Sequence, residues 1–232
     1  MNLSVIIPSK TASNLVPCVE AVRKHEPHAR IVVVDDGLDI DALSQSGDGD
    51  CWSCDNDPLR IVPGVKPFIF ARNANLGIRA AAMWHDSDAV VLLNDDATLE
   101  TPRGFTAMQH LAEWYPEYGV IGAVTNITGQ PLQQPRNIGL REVPHIAFVC
   151  VLIPKRTVDK IGLLDERYSL DYGCEDLDYC EACTRAGLKI GVFDGCFVDH
   201  SKLRSTFRGN PQASLRFDKN KALFDAKWSV TA

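Results

Sequence analysis

Val90-Val91-Leu92-Leu93-Asn94-Asp95-Asp96-Ala97-Thr98 is the stretch on which the fold class turns. An apolar run with β-branched residues stops abruptly at an amide and two carboxylates. A strand buried on both faces of a parallel sheet reads this way, as a continuous apolar run rather than an alternation. In open α/β sheets ligands sit in the crevice beyond the carboxyl ends of the strands, so Asn94, Asp95 and Asp96 fall where a site would be. Hard carboxylate oxygens there suit a divalent cation and leave other positions to phosphate oxygens. An acidic turn capping the next helix would look the same locally. The decision rests on what else reaches this edge.

Upstream the pattern recurs. Ile31-Val32-Val33-Val34 ends in Asp35-Asp36-Gly37, where a carboxylate can accept hydrogen bonds from a base N–H or sugar hydroxyls, or simply close an Asp-Gly turn. Leu3 to Ile7, closed by Pro8, reads as the first strand. A helix capped at Ser13 or Asn14 follows, with Leu15, Val19 and Val22 at helical spacing. Residues 38–58, rich in Asp, Ser and Gly, read as a surface loop, and Leu59 to Val62 as a short strand. Phe70-Ala-Arg-Asn-Ala-Asn-Leu-Gly77 leads into helix-forming Ile78 to Trp84. That places Arg72 and Asn73 near a helix start, where a cation and backbone amides meet phosphates. A solvated arginine is the alternative.

Downstream, Thr101-Pro102 predicts a helix through Trp114. Gly119 to Val124 reads as a strand, 126–142 as an irregular excursion, His145 to Ile153 as a strand closed by Pro154, and Lys155 to Ile161 as a short helix. Residues 171–187 are the second informative stretch: Asp-Tyr-Gly-Cys-Glu-Asp-Leu-Asp-Tyr-Cys-Glu-Ala-Cys-Thr-Arg-Ala-Gly. Gly173 permits a tight turn, the acids at 175, 176 and 178 suit a helix N-terminus, and Gly187 ends the helix. Asp176, Cys180, Cys183 and Gly187 share one face. With the cysteines packed inward, Asp176 lies at the crevice end of the buried side, although a capping box without chemistry fits the local sequence equally well. Leu188 to Phe193 and Cys196 to Val198 read as short strands leading to Asp199-His200, which makes His200 a metal-ligand candidate. Ser214 to Trp228 reads as a C-terminal helix docked by its apolar side.

The whole chain bounds these readings. Its 232 residues suit one α/β domain, with no internal repeat or low-complexity linker to divide it. Hydrophobic content of 45% and charged content of 23% are ordinary for a soluble globular protein. No apolar stretch approaches the roughly 20 residues of a membrane span, and the chain runs straight into Leu3-Ser4-Val5 with no basic segment or cleavage site. A net charge of −6 weighs against a nucleic-acid partner, since phosphate binding is driven by basic patches. Among eight cysteines, Cys51-Trp-Ser-Cys54 and Cys180-Glu-Ala-Cys183 both carry zinc-like spacing and together would make a four-cysteine site. The second pair falls inside a predicted helix, however, and Cys18, Cys150, Cys174 and Cys196 are scattered among apolar neighbours. Packed free thiols in a reducing, cytoplasmic setting are the preferred expectation.

Taken in order, these stretches resemble the family 2 glycosyltransferases with the GT-A fold. The resemblance runs through Ser4-Val-Ile-Ile-Pro8, Val34-Asp-Asp-Gly37, Asn73-Ala-Asn-Leu-Gly77 and Leu93-Asn-Asp-Asp96. It continues in Gly162-Leu-Leu-Asp-Glu166, Glu175-Asp176, Val198-Asp-His200 and the closing Arg216, Asn220 and Lys227-Trp228. It covers nearly the whole chain, and the ordered set, not any one motif, is specific. It implies a single GT-A (Rossmann-like) α/β domain over residues 1–232, with a mixed, mostly parallel central sheet flanked by helices. Roughly residues 1–100 would form the nucleotide-binding half and 101–232 the acceptor-binding half.

The function so implied is inverting transfer from a UDP-, dTDP- or GDP-sugar to the hydroxyl of a glycan, lipid-linked or other acceptor. Pro8, Asp35, Asp36, Arg72, Asn73, Asn94, Asp95 and Asp96 are the donor-side candidates, with the base or ribose on Asp35 or Asp36. Asp96 would be the metal-binding member of the DXD-like motif, His200 a further ligand to Mn2+ or Mg2+, and Asp176, beside Glu175, the catalytic base. Asn94 stands where many relatives carry aspartate; its amide keeps a carbonyl oxygen but not the charge. Residues 126–142 and the segment around 201–212 are expected to shape the acceptor site. Two other readings compete. A sugar-1-phosphate nucleotidyltransferase would carry a Gly-rich, Arg-containing loop after strand one, which Pro8-Ser-Lys-Thr-Ala-Ser-Asn14 is not. A catalytically silent sugar-nucleotide-binding module is suggested by Asn94 alone, against the retained Asp96, Asp176 and His200.

Overall fold

Strand residues of alternating parity point to opposite faces of a sheet, and here each parity finds its own helices. The computed structural model describes residues 2–38, 59–84, 87–168, 173–201 and 213–229. In chain order its elements are β1 (Asn2–Ser9), α1 (Ala12–His25), β2 (Arg30–Asp35), β3 (Leu59–Pro63), α2 (Phe70–Ala82), β4 (Ser87–Leu93) and β5 (Thr98–Leu99). Then come α3 (Gly104–Trp114), β6 (Tyr118–Thr125), a single 3-10 turn (Pro131–Gln133), β7 (Leu140–Val143) and β8 (Cys150–Pro154). Helices α4 (Lys155–Ile161) and α5 (Glu175–Arg185), strand β9 (Lys189–Asp199) and helix α6 (Ala213–Trp228) complete it.

The strands form one mixed sheet in the order β3-β2-β1-β4-β8-β6-β9-β5, with β7 also on β9. The longer ladders, β3 through β4 and β6 with β9, are parallel; β8, β7 and β5 pair antiparallel. Val5, Ile7, Val33, Val91 and Leu93 pack with Leu15, Val19 and Val22 of α1 and Phe105 and Met108 of α3. On the other face Ile6, Val32, Val34 and Leu92 pack with Ala74 and Ile78 of α2 and Tyr179, Cys180 and Cys183 of α5. This is the single α/β domain expected, helices on both faces. No helix among the described residues is long and apolar enough to cross a membrane.

Several local expectations shift. The first helix begins at Ala12, after Thr11, rather than behind a Ser13 or Asn14 cap. The strand expected over 145–153 begins only at Cys150. The backbone of Ala147 gives its hydrogen bonds to the buried Gln133 side chain instead of to a ladder, N–H to Oε1 at 2.9 Å and C=O from Nε2 at 3.0 Å. The two short strands around 188–198 are one, β9, whose residues 194–196 bulge where its register to β6 jumps from Phe193 to Phe197. The helix expected from Thr101-Pro102 starts at Gly104. Thr101 Oγ1 is occupied by the Phe197 N–H at 2.9 Å, and the helix start is capped by Glu26, which accepts from Thr106 N–H at 3.0 Å and Oγ1 at 2.6 Å.

Candidate active site

The strand ends deliver the site. Ser9 pairs with Asp35 across β1 and β2, and β4, β6 and β9 run in the same direction, so Ser9, Asp35-Asp36, Asn94-Asp96 and Asp199-His200 arrive at one edge. Ser9, buried and unremarked in the sequence, ties three of these ends together. Its carbonyl accepts from Asp36 N–H at 2.8 Å and its hydroxyl donates to Asp95 Oδ2 at 2.7 Å.

Of the donor-side candidates, Pro8 is buried in β1 opposite Val34. Asp35 Oδ1 closes a turn by accepting from the N–H groups of Gly37 at 2.7 Å and Leu38 at 2.6 Å. Asp36 is the buried one, and its Oδ1 has no hydrogen-bond partner among the described residues. Burial raises its carboxyl above the ordinary range, offset by the Asn73 amide facing it and by Lys10 and Lys66 nearby. Asn73, fully buried, spends Oδ1 on Val65 N–H at 3.0 Å and leaves Nδ2 unmatched. Amide and carboxylate thus face each other in a buried corner, short of a full hydrogen bond at Asp36 Oδ1 and Asn73 Nδ2 but close enough for the amide to favour the charged carboxylate. Arg72 pairs with Glu166 at 3.6 Å, so it is not merely solvated.

At the centre, burial raises the Asp95 carboxyl to about 6 against the bonds from Ser9 and Asn14, with the Asp96 charge adding to the rise. Asn94 donates its N–H to Val149 O at 2.9 Å and accepts the Cys18 thiol at 3.7 Å on its own carbonyl. Asp96 is buried and places Oδ1 2.9 Å from His200 Nε2. The other ring nitrogen lies 2.8 Å from Ile127 O. A carbonyl only accepts, so Nδ1–H donates to Ile127, and a proton between Nε2 and the carboxylate oxygen completes the second contact. The backbone of His200 is held in turn by Asn126 Oδ1 at 2.9 Å.

Asp176 and Glu175 open α5, after Gly173 and Cys174, both in the left-handed region at φ 85° and 76°. Asp176 accepts from Leu177 N–H at 2.8 Å, and the Phe148 backbone amide and nearby His145 favour its charged form. Residues 148–149 therefore join the two halves of the site, Val149 reaching Asn94 and Phe148 reaching Asp176. Burial raises both carboxyls of the pair. His145 is fixed by Gln130 Oε1 at 2.8 Å.

The profile of Glycosyl transferase family 2 matches residues 4–161, more than half of the chain. This chain belongs to glycosyl transferase family 2. Among solved structures the glycosyltransferase is similar to GalNAc-T7, in a crystal with UDP, GalNAc and Mn2+: TM-score 0.72, 14% identity, covering 98% of this chain and 48% of that one. It spans about half the length of that chain. It is also similar to A197 from STIV, with TM-score 0.51, 13% identity and coverage of 85% and 84%. No curated protein matches the sequence. The family and the GT-A fold agree with the reading of the sequence.

Whether the glycosyltransferase's residues suit a cation is decided by Asp96 and His200. Adjacent ligands of an octahedral cation at about 2.1 Å stand about 3.0 Å apart, and the carboxylate oxygen and ring nitrogen are 2.9 Å apart, so a cation taking the place of the proton between them would have both as neighbouring ligands. The residues fit. Among the described residues no three such ligands cluster. The zinc alternative fares differently: Cys180 and Cys183 lie in the apolar core under α5 as free thiols, and Cys51 and Cys54 lie outside the described residues, as do 202–212 of the expected acceptor segment.

Proposed function

We propose that this glycosyltransferase moves a sugar, with inversion, from a nucleotide-diphosphate donor to an acceptor hydroxyl, with Asp176 as general base. The proposal is supported by the Asp96–His200 pair at the strand ends and by Val149, bonded to Asn94, whose neighbour Phe148 lies beside Asp176. Asp36 and Asn73, with Asp35 and Pro8 around them, form the base and ribose corner, and Asn94 and Asp95 line the path to the diphosphate. Asp96 and His200 would hold Mn2+ or Mg2+, whose charge neutralises the leaving diphosphate. The similarity to a structure holding UDP and Mn2+ supports a UDP-sugar first, with dTDP- and GDP-sugars as the other donors. The first hundred residues would serve the donor and the rest the acceptor.

Asp176 acts where charge develops. The sugar passes through an oxocarbenium-like state as the acceptor oxygen attacks the opposite face. As that oxygen bonds to carbon its proton becomes acidic, and the carboxylate takes it. A packed carboxyl with a raised pKa is a better acceptor than a solvated one, since efficiency rises as the base pKa approaches the working pH.

UDP release from a panel of UDP-sugars with Mn2+ tests this on Asp176→Asn. The amide keeps the shape and cannot take the proton, so turnover should fall about 10²–10⁴-fold while UDP affinity changes little. Asp96→Ala, in parallel, should abolish the rise in melting temperature that UDP and Mn2+ together give the parent. Parent-like turnover in Asp176→Asn would remove the base assignment; an undiminished thermal shift in Asp96→Ala would remove the cation.

A further inference from the structure

Asp178, two residues past the proposed base, is buried and collects donors from three directions. Its Oδ1 accepts the Tyr168 hydroxyl and the Trp228 indole N–H, each at 2.8 Å, and Lys227 Nζ lies 2.8 Å from Oδ2. Lys227 also reaches Asp165 Oδ2 at 2.8 Å, so the ammonium sits between two carboxylates. Trp228 and Lys227 end α6, and further contacts run the length of α5. Asn220 Nδ2 donates to Gly173 O at 2.9 Å, and Phe217 packs where a Gly173 side chain would stand. Arg185 Nη2 donates to Trp228 O at 2.8 Å, its guanidinium 4.7 Å from the indole.

Residues two apart on a helix are separated by about 200°. Asp178 therefore faces α6 while Asp176 points away from it in the same turn. We propose that Asp178 is a positioning residue for transfer: by gripping Trp228 and Lys227 it clamps α6 across α5 and holds the turn that carries Asp176. The role rests on Asp176 as base. A buried carboxylate with an ammonium and two neutral donors is a rigid joint, and the clamp acts at both Gly173 and Asp178, on either side of the base. Displacing a catalytic group by about 1 Å costs on the order of 10²-fold in rate.

The test uses Trp228→Phe, which removes the indole N–H and keeps a ring for Arg185, and Asp178→Asn as the stronger variant. Three quantities are read on each: UDP release from UDP-sugars with Mn2+, UDP affinity, and hydrogen exchange of the amides of residues 178–180. We expect turnover down about tenfold or more, UDP affinity within about twofold, and exchange in that turn faster, in both variants. A merely structural role would lower turnover and UDP affinity together, and that result overturns the proposal. So does parent-like turnover in both variants. Asp176→Asn run alongside keeps the two readings apart. Full turnover there removes the base and the reason for holding it, whereas a loss there with parent-like Trp228→Phe and Asp178→Asn removes only the clamp.

Discussion

Glu175 and Asp176 put two carboxyl groups on consecutive residues at the start of α5, and at the residue scale their protonation links stability to pH. Burial, and then the neighbouring Asp176, raises the Glu175 carboxyl to about 8 from an ordinary 4.5. The two titrate as a pair, so the proton belongs to both. Between these values the folded chain keeps a proton that the unfolded chain has released, so this contribution favours folding below about pH 4.5 and is lost as pH rises towards about 8. Glu175→Gln removes the retained proton. Its melting temperature should therefore fall less steeply than the parent's between about pH 5 and pH 8, followed by circular dichroism. An identical slope in parent and variant would show that Glu175 ionises as it does in water.

Packing between elements is most exposed at Gly77, on the face of α2 that meets β1. A side-chain carbon there would enter the space of Ile6 Cγ2 and come within 3.2 Å of Val34 Cγ2. The helix carries Asn73 and Asn75, and Asn75 grips the backbone of Leu164 at 2.9 and 3.0 Å and Glu166 Oε1 at 2.9 Å. Close approach of α2 to the sheet thus also sets the donor corner. Gly77→Ala should destabilise the protein by about 1–3 kcal/mol through overpacking, read from urea unfolding. A change under about 0.5 kcal/mol would mean the helix shifts freely. The Asn-Leu-Gly run is visible in the sequence; that its glycine is a contact point between helix and strand is visible only in the packing.

At the scale of the whole molecule, the cysteines among the described residues belong to the interior rather than to the chemistry. Cys18, Cys150, Cys174, Cys180, Cys183 and Cys196 are all buried and unpaired. Burial pushes the thiols of Cys174 and Cys183 up to about 12 and those of Cys18, Cys150 and Cys180 well above the ordinary value. The thiolate is the reactive form. Iodoacetamide at neutral pH should therefore label these six slowly in the folded protein and fully in urea, as mapped by peptide mass spectrometry. Rapid labelling of Cys180 or Cys183 in the folded state would place them at a surface.

Buried strands announce themselves because a fully covered strand has no polar residue to spare until it ends. Val90 to Leu93 and Ile31 to Val34 therefore disclosed the sheet, its parallel half and the edge where carboxylates gather. The Glu175-Asp176 and Asp199-His200 pairs were legible for the same reason, as acids and a histidine at element ends. Sequence could not say which of two adjacent aspartates turns inward. Asp35 is spent on its own turn and Asp36 is the buried one, a choice made by the Ser9 carbonyl on the neighbouring strand. Nor could it show that 145–149 leaves the ladder, since a single glutamine fourteen residues upstream supplies the competing hydrogen bonds. Asp178 read as one more acid suited to a helix start. Its partners Trp228 and Lys227 are 50 and 49 residues away in the chain, and only the packing of α6 on α5 makes it a joint.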